Sequence, residues 1–238
     1  MAESLLEVEG LRFAWPGSNQ TCLDIAEFRV VAGETVFLHG PSGCGKSTLL
    51  SLLAGVLLPQ AGRVALLGAD WGGLRPAARD RYRVDHVGYI FQQFNLLPYL
   101  TALDNVLLPC RFSVRRRAAA AHEAGSLRVA AEHWLTGMGL DASVWQRAAH
   151  TLSVGQQQRV AAARALVGRP DLVIADEPTS ALDEDRREAF LDLLSSACAG
   201  AGSALVLVSH DRRIAGRFGQ QISLPAINRT AQALEVAA

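Results

Sequence analysis

The chain has 238 residues, half of them hydrophobic, which is enough to bury a substantial core. Lys plus Arg and Asp plus Glu both number 23, so no net charge steers it toward nucleic acid or anionic lipid. No apolar run approaches the roughly 20 residues of a membrane-spanning helix, Met1–Leu5 is unlike a secretory leader, and Cys22, Cys44, Cys110 and Cys198 form no CxxC pair, which disfavours a disulfide framework or zinc site and points to a cytosolic α/β protein.

Alternation over Leu5–Trp15 predicts a strand, and Pro16-Gly17-Ser18-Asn19 a turn. Further strands are expected at Ile25–Val31 and Thr35–His39. A helix is expected over Ser47–Leu57, closed by Pro59 and Gly62, then strands at Arg63–Leu67 and His86–Phe91. From about residue 95 to 168 the chain turns Ala-, Leu- and Arg-rich, with helical spacing at Leu127, Ala130, Ala131, Trp134 and Leu135. Within it, Arg115-Arg116-Arg117 reads as a solvated helix face. Leu172–Ala175 and Ser203–Ser209 are continuous apolar runs, as suits parallel strands buried on both faces. The order predicts one sheet domain that carries a helical subdomain.

Gly40-Pro41-Ser42-Gly43-Cys44-Gly45-Lys46-Ser47-Thr48 fits the phosphate-loop pattern, with an expected strand before it and a helix after it. The glycines let backbone N–H groups approach phosphate, Lys46 adds a point charge, Ser47 offers a hydroxyl to Mg²⁺, and Thr48 reaches the α-phosphate. Cys44, at a helix start beside Lys46, sits where a thiolate is favoured, though any small residue fits there. Asp176 ends a buried strand and suits a second Mg²⁺ contact. Glu177, one residue on, suits a base for an attacking water. Gln92, or its neighbour Gln93, can offer an amide to Mg²⁺ or that water; Gln92 is preferred because it directly follows the strand. His210, after the last apolar run, can donate to a γ-phosphate. Leu152-Ser153-Val154-Gly155-Gln156-Gln157-Gln158-Arg159 reads as a second anion cradle, a Ser-x-Gly turn that opens a helix.

Together these segments resemble the ATP-binding cassette (ABC) ATPases over about residues 5–224. Gly40–Thr48 matches Walker A, Gln92 the Q-loop, Leu152–Arg159 the signature, Asp176 and Glu177 Walker B with its glutamate, Ser180-Ala181-Leu182-Asp183 the D-loop, and His210 the switch histidine. The resemblance implies an α/β P-loop NTPase core, a RecA-like mixed sheet with an N-terminal antiparallel β subdomain, plus an α-helical subdomain. It divides the 238-residue ATPase domain into core and β parts at about 1–92 and 168–238 and a helical part at about 93–167. It implies ATP and Mg²⁺ as ligands and a head-to-tail dimer with a second copy, in which Ser153 and Gly155 meet the partner's γ-phosphate. Gln156 and Asp183 are further nucleotide contacts, and Trp15, or alternatively Phe13, stacks on adenine.

The subgroup is suggested by Phe91–Pro98, Thr101–Val106 and Val154 where most relatives have Gly. These resemble the LolD, MacB and DevA type that serves lipoprotein release and macrolide or glycolipid export, with importer subunits and FtsE-like regulators as the alternatives. The partner implied is a separate integral membrane permease, with the ATPase on the cytoplasmic face of the inner membrane. A kinase or GTPase is disfavoured by the signature and D-loop. A nucleic-acid machine is disfavoured by the absence of a basic stripe and of a long coiled-coil insertion.

Overall fold

A computed structural model describes residues 4–18, 20–180 and 182–230. The chain divides into two compact units, one running to Arg83 and resuming at Val206, the other spanning Val84–Leu205.

The first unit begins with β1 (Ser4–Ala14), whose alternation buries Leu6, Val8, Leu11 and Phe13. It pairs antiparallel with β2 (Thr21–Val31) and β4 (Ala61–Leu66), and β5 (Ala69–Asp70) adds to β4. The expected turn at 16–18 is present, closed by the Ser18 N–H on the Trp15 carbonyl at 2.9 Å; Asn19 lies outside the described residues. β3 (Thr35–His39), buried through Val36–Leu38, runs parallel to β9 (Gln220–Ser223), which is followed by the short α9 (Leu224–Ile227). Helix α1 covers Lys46–Leu53, four residues shorter at its end than expected. Trp71, fully buried, explains the early stop. Its indole N–H donates to the Leu53 carbonyl at 3.1 Å, and its ring fills the space where a Cβ on Gly55, at φ 67°, would lie. The chain therefore turns out of the helix at a residue that tolerates the left-handed region. Helix α2 (Pro76–His86) was not expected. It buries none of its residues, so it shows no apolar stripe to read.

In the second unit β6 (Val87–Ile90) runs parallel to β7 (Leu172–Asp176), with Val87 opposite Leu172 and Ile90 opposite Ala175. β6 is shorter than expected, because His86 belongs to α2 and Phe91 lies beyond the strand. The helices are α3 (Ala102–Phe112), α4 (Val114–Ala124), α5 (Leu127–Gly137), the short α6 (Ala142–Trp145), α7 (Val154–Leu166) and α8 (Glu184–Ala201). The expected stripe on α5 is buried at Ala130, Ala131, Trp134 and Leu135. β8 (Ala204–Val208) is wholly buried, and the division between units falls within it.

Of the arginine run in α4, Arg115 and Arg117 are exposed as expected, but Arg116 departs from the expectation of a solvated face. Arg116 is 2% exposed. Its guanidinium donates to the carbonyls of Val167 (2.8 Å), Ala165 (2.6 Å) and Arg164 (3.3 Å) at the end of α7. These are carbonyls that a helix C-terminus leaves without intrahelical partners, and a cation satisfies both them and the helix dipole. Burial lowers the Arg116 pKa to about 10. Arg115 pairs with Asp171 at 3.1 Å, and Arg117 donates to the Cys110 carbonyl at 2.8 Å. No helix among the described residues is long and apolar enough to cross a membrane.

Candidate nucleotide site

In the first unit the loop from Gly40 to Gly45 joins β3 to α1. Gly43 and Gly45 have φ of 80° and 99°, the left-handed conformation from which anion nests are built. Gly45 is the N-cap of α1, and no side chain caps that helix. The first-turn N–H groups of a helix lack intrahelical partners and sit at its positive dipole end. An uncapped start behind a glycine nest is therefore suited to an anionic ligand. A Cβ on Gly40 would lie 2.7 Å from Cys44 Sγ and 3.1 Å from Pro225 Cδ, so the loop is closely packed from behind. Lys46 Nζ donates to the Gly40 and Pro41 carbonyls, each at 2.9 Å, and so holds its charge over the loop. Ser47 is exposed at the first turn and Thr48 is half-buried.

Cys44 departs from expectation. Burial raises its thiol pKa, and the opposing charge of Lys46 does not offset this, so the thiol rather than the thiolate is favoured. The two aromatics expected near adenine differ in exposure. Phe13 is buried at 5%, whereas Trp15, edge-on to it at 5.3 Å, is 48% exposed and has a ring face to offer. His210 follows β8 and is exposed. The residue before it, Ser209, is buried and bonded through its N–H to the Leu38 carbonyl at 3.3 Å.

In the second unit Ser153 is the N-cap of α7. Its hydroxyl accepts from the Gln156 N–H at 3.3 Å, while the Gln156 side chain accepts from the Ser153 N–H at 3.0 Å. This reciprocal capping box explains the Ser-x-x-Gln spacing, and it leaves the Ser153 hydroxyl proton free for an acceptor. Gly155 has no structural need to be glycine, since a Cβ there would meet nothing within 4 Å. Ser153, Gly155, Gln156, Leu182 and Arg186 line a cavity of about 460 Å³. Asp183 caps α8 by accepting from the Arg186 N–H at 3.0 Å. Ala181 of the expected D-loop lies outside the described residues.

Asp176 ends β7, and Glu177 follows with φ 47°, an uncommon conformation for a residue with a side chain. Buried Gln158 on α7 donates to the Pro178 carbonyl at 2.6 Å. Gln92 and Gln93 both sit in an exposed turn two and three residues past β6, so Gln92 does not directly follow the strand. Just beyond, Phe94 and Asn95 have φ of 59° and 48°, and Arg164 of α7 donates to their carbonyls at 2.5 and 2.6 Å. Desolvation lowers the Arg164 pKa to about 10. Asn105 then fixes the following loop through its amide, which bonds both the N–H (2.8 Å) and the carbonyl (3.1 Å) of Leu97. Gln158 and Arg164 were not singled out from sequence; their partners lie 20 and about 70 residues away.

A glycine nest on the turn from a parallel strand into an uncapped helix defines a P-loop nucleotide-binding protein of mixed α/β fold. The comparisons carry this further. The family profile described as ABC transporter matches residues 23–180. The uncharacterized ABC transporter ATP-binding protein YbbA of Escherichia coli K12 is 40% identical over 226 residues, covering 94% of this chain and 95% of that one. The lipoprotein-releasing system ATP-binding protein LolD of Anaeromyxobacter dehalogenans is 42% identical over 198 residues, covering 83% of this chain and 80% of that one. Among solved structures, the dimeric bacterial ABC transporter cassette MJ0796 superposes with a TM-score of 0.81 at 33% identity, covering 92% of this chain and 93% of that one. The chain belongs to the ABC transporter ATP-binding family.

Proposed function

We propose that this chain is the ATP-hydrolysing subunit of an export or transenvelope ABC transporter. It works as a dimer of two copies beside a separate membrane permease, on the cytoplasmic face of the inner membrane. The observation that carries the reading is the loop at 40–48, where two positive-φ glycines precede an uncapped helix start and Lys46 lies over its own loop carbonyls. Gly40, Pro41, Ser42, Gly43, Cys44, Gly45, Lys46, Ser47 and Thr48 cradle the triphosphate, and Trp15 stacks on adenine. Ser47, Gln92 and Asp176 supply oxygen donors only, the hard set that Mg²⁺ takes, and the ion when bound neutralises phosphate charge. Glu177 accepts the proton of the attacking water, and His210 donates to the γ-phosphate as charge develops on it. Ser153 and Gly155 act on the nucleotide held by the other copy. The Ser153 hydroxyl proton suits this, and so does the absence of any neighbour that would exclude a side chain at Gly155. Gln156 supports that turn from within the capping box, and Asp183 supports the D-loop by capping α8.

The export assignment is supported by relatives named as lipoprotein-releasing ATP-binding proteins. Tyr99, 73% exposed in the loop after Gln92, offers apolar surface to a permease. The test is steady-state ATP hydrolysis by Glu177→Gln. Loss of a general base lowers kcat by about 10²–10⁴-fold while ATP still binds. Turnover at the parent rate would reject the assignment.

A further inference from the structure

Helix α7 carries more than the Ser153 turn. One turn beyond its start, Gln158 is 1% exposed and donates through Nε2 to the Pro178 carbonyl at 2.6 Å. Pro178 follows Glu177, whose φ of 47° persists only where the surroundings over-determine it. Beyond it, the Ser180 N–H donates to the Glu177 carbonyl at 3.2 Å. Pro178 has no N–H of its own to anchor it. Its carbonyl is a handle on the turn, and Gln158 grips it.

We propose that Gln158 is a positioning residue for hydrolysis: by holding the Pro178 carbonyl from α7 it sets where the Glu177 carboxylate stands. This rests on the role of Glu177 given above. Because Gln158 lies on the helix that Ser153 caps, about 7.5 Å further along its axis, placement of Glu177 is tied to the turn that the resemblance assigns to the other copy's nucleotide. Arg164, on the same helix, grips Phe94 and Asn95 behind Gln92 in the same way. α7 therefore holds two strained segments by their carbonyls.

The test uses the full chain and three variants. Gln158→Met keeps length and bulk but cannot donate. It is expected to retain the parent's circular dichroism and an ATP affinity within about twofold. Its kcat is expected to fall at least about tenfold at unchanged KM, since small misplacements of a reacting group cost that much or more. Gln158→Glu gives a readout that a structural role would not move. Protonated, the new carboxyl donates to the Pro178 carbonyl; ionised, it cannot. Its kcat relative to the parent should therefore rise as pH is lowered. A folded Gln158→Met protein with kcat within about twofold of the parent overturns the proposal, as does a pH-independent ratio for Gln158→Glu. If Gln158→Met does not fold, the pH ratio decides alone. The third variant, Glu177→Gln, separates the two claims. If it hydrolyses ATP as the parent does, the functional reading fails. If it is inactive and both Gln158 variants behave as the parent, only the positioning role fails.

Discussion

The two turns proposed to act on nucleotide, at 40–48 and at 152–156, are built in opposite ways. The first caps its helix with a glycine at positive φ, and no side chain closes the helix start. The second is closed by its own side chains, with Ser153 and Gln156 exchanging bonds across the first turn of α7. The first turn therefore has the donors to hold phosphate by itself. The second has used its cap internally and keeps one hydroxyl proton and an unobstructed glycine to offer. That difference supports the proposed roles of a primary binding loop and a turn that acts on the other copy's nucleotide.

The contrast can be broken by the same kind of substitution in both turns. Gly45→Ala should have the largest effect. A side chain at φ 99° costs about 1–2 kcal/mol, and its Cβ would lie 2.9 Å from Leu23 Cδ2. For a chain of this size that lowers the melting temperature by about 2–8 °C. Nucleotide binding should be lost with it, as titration with a fluorescent ATP analogue would register. Ser153→Ala comes next. Removing the N-cap acceptor costs about 1 kcal/mol, or about 2–4 °C, and hydrolysis should fall while ATP binding by the isolated chain persists. Gly155→Ala should be smallest in stability, neutral or better by up to about 0.5 kcal/mol because alanine suits a helix and nothing crowds its Cβ. It should nevertheless lower ATP-dependent turnover. A melting temperature that drops for Gly155→Ala as far as for Gly45→Ala would erase the distinction between the turns.

Much of this was legible in the sequence, because the signals were local. The alternation of β1, the apolar runs that became β7 and β8, and the α5 stripe all announce themselves within a few residues. So do the glycines of the first turn and the Ser-x-Gly of the second, whereas the Ser153–Gln156 capping box is a finding of the structure. What escaped depends on distant partners. The end of α1 is set by Trp71, 18 residues beyond Leu53. α2 gave no periodicity because it buries nothing. Arg116 looked like one of three solvated charges, yet it is buried against carbonyls some 50 residues on. The left-handed backbone of Glu177, and the Gln158 amide beside it, have no local signature at all.

The central claim is that ATP joins two copies of this chain, and that the second turn acts on a nucleotide the other copy holds. Sedimentation velocity of Glu177→Gln tests it most directly, since that variant is expected to bind ATP without consuming it. The account predicts a monomer without nucleotide or with ADP, and a dimer with saturating ATP. A Glu177→Gln protein that binds ATP and still sediments as a monomer would contradict it.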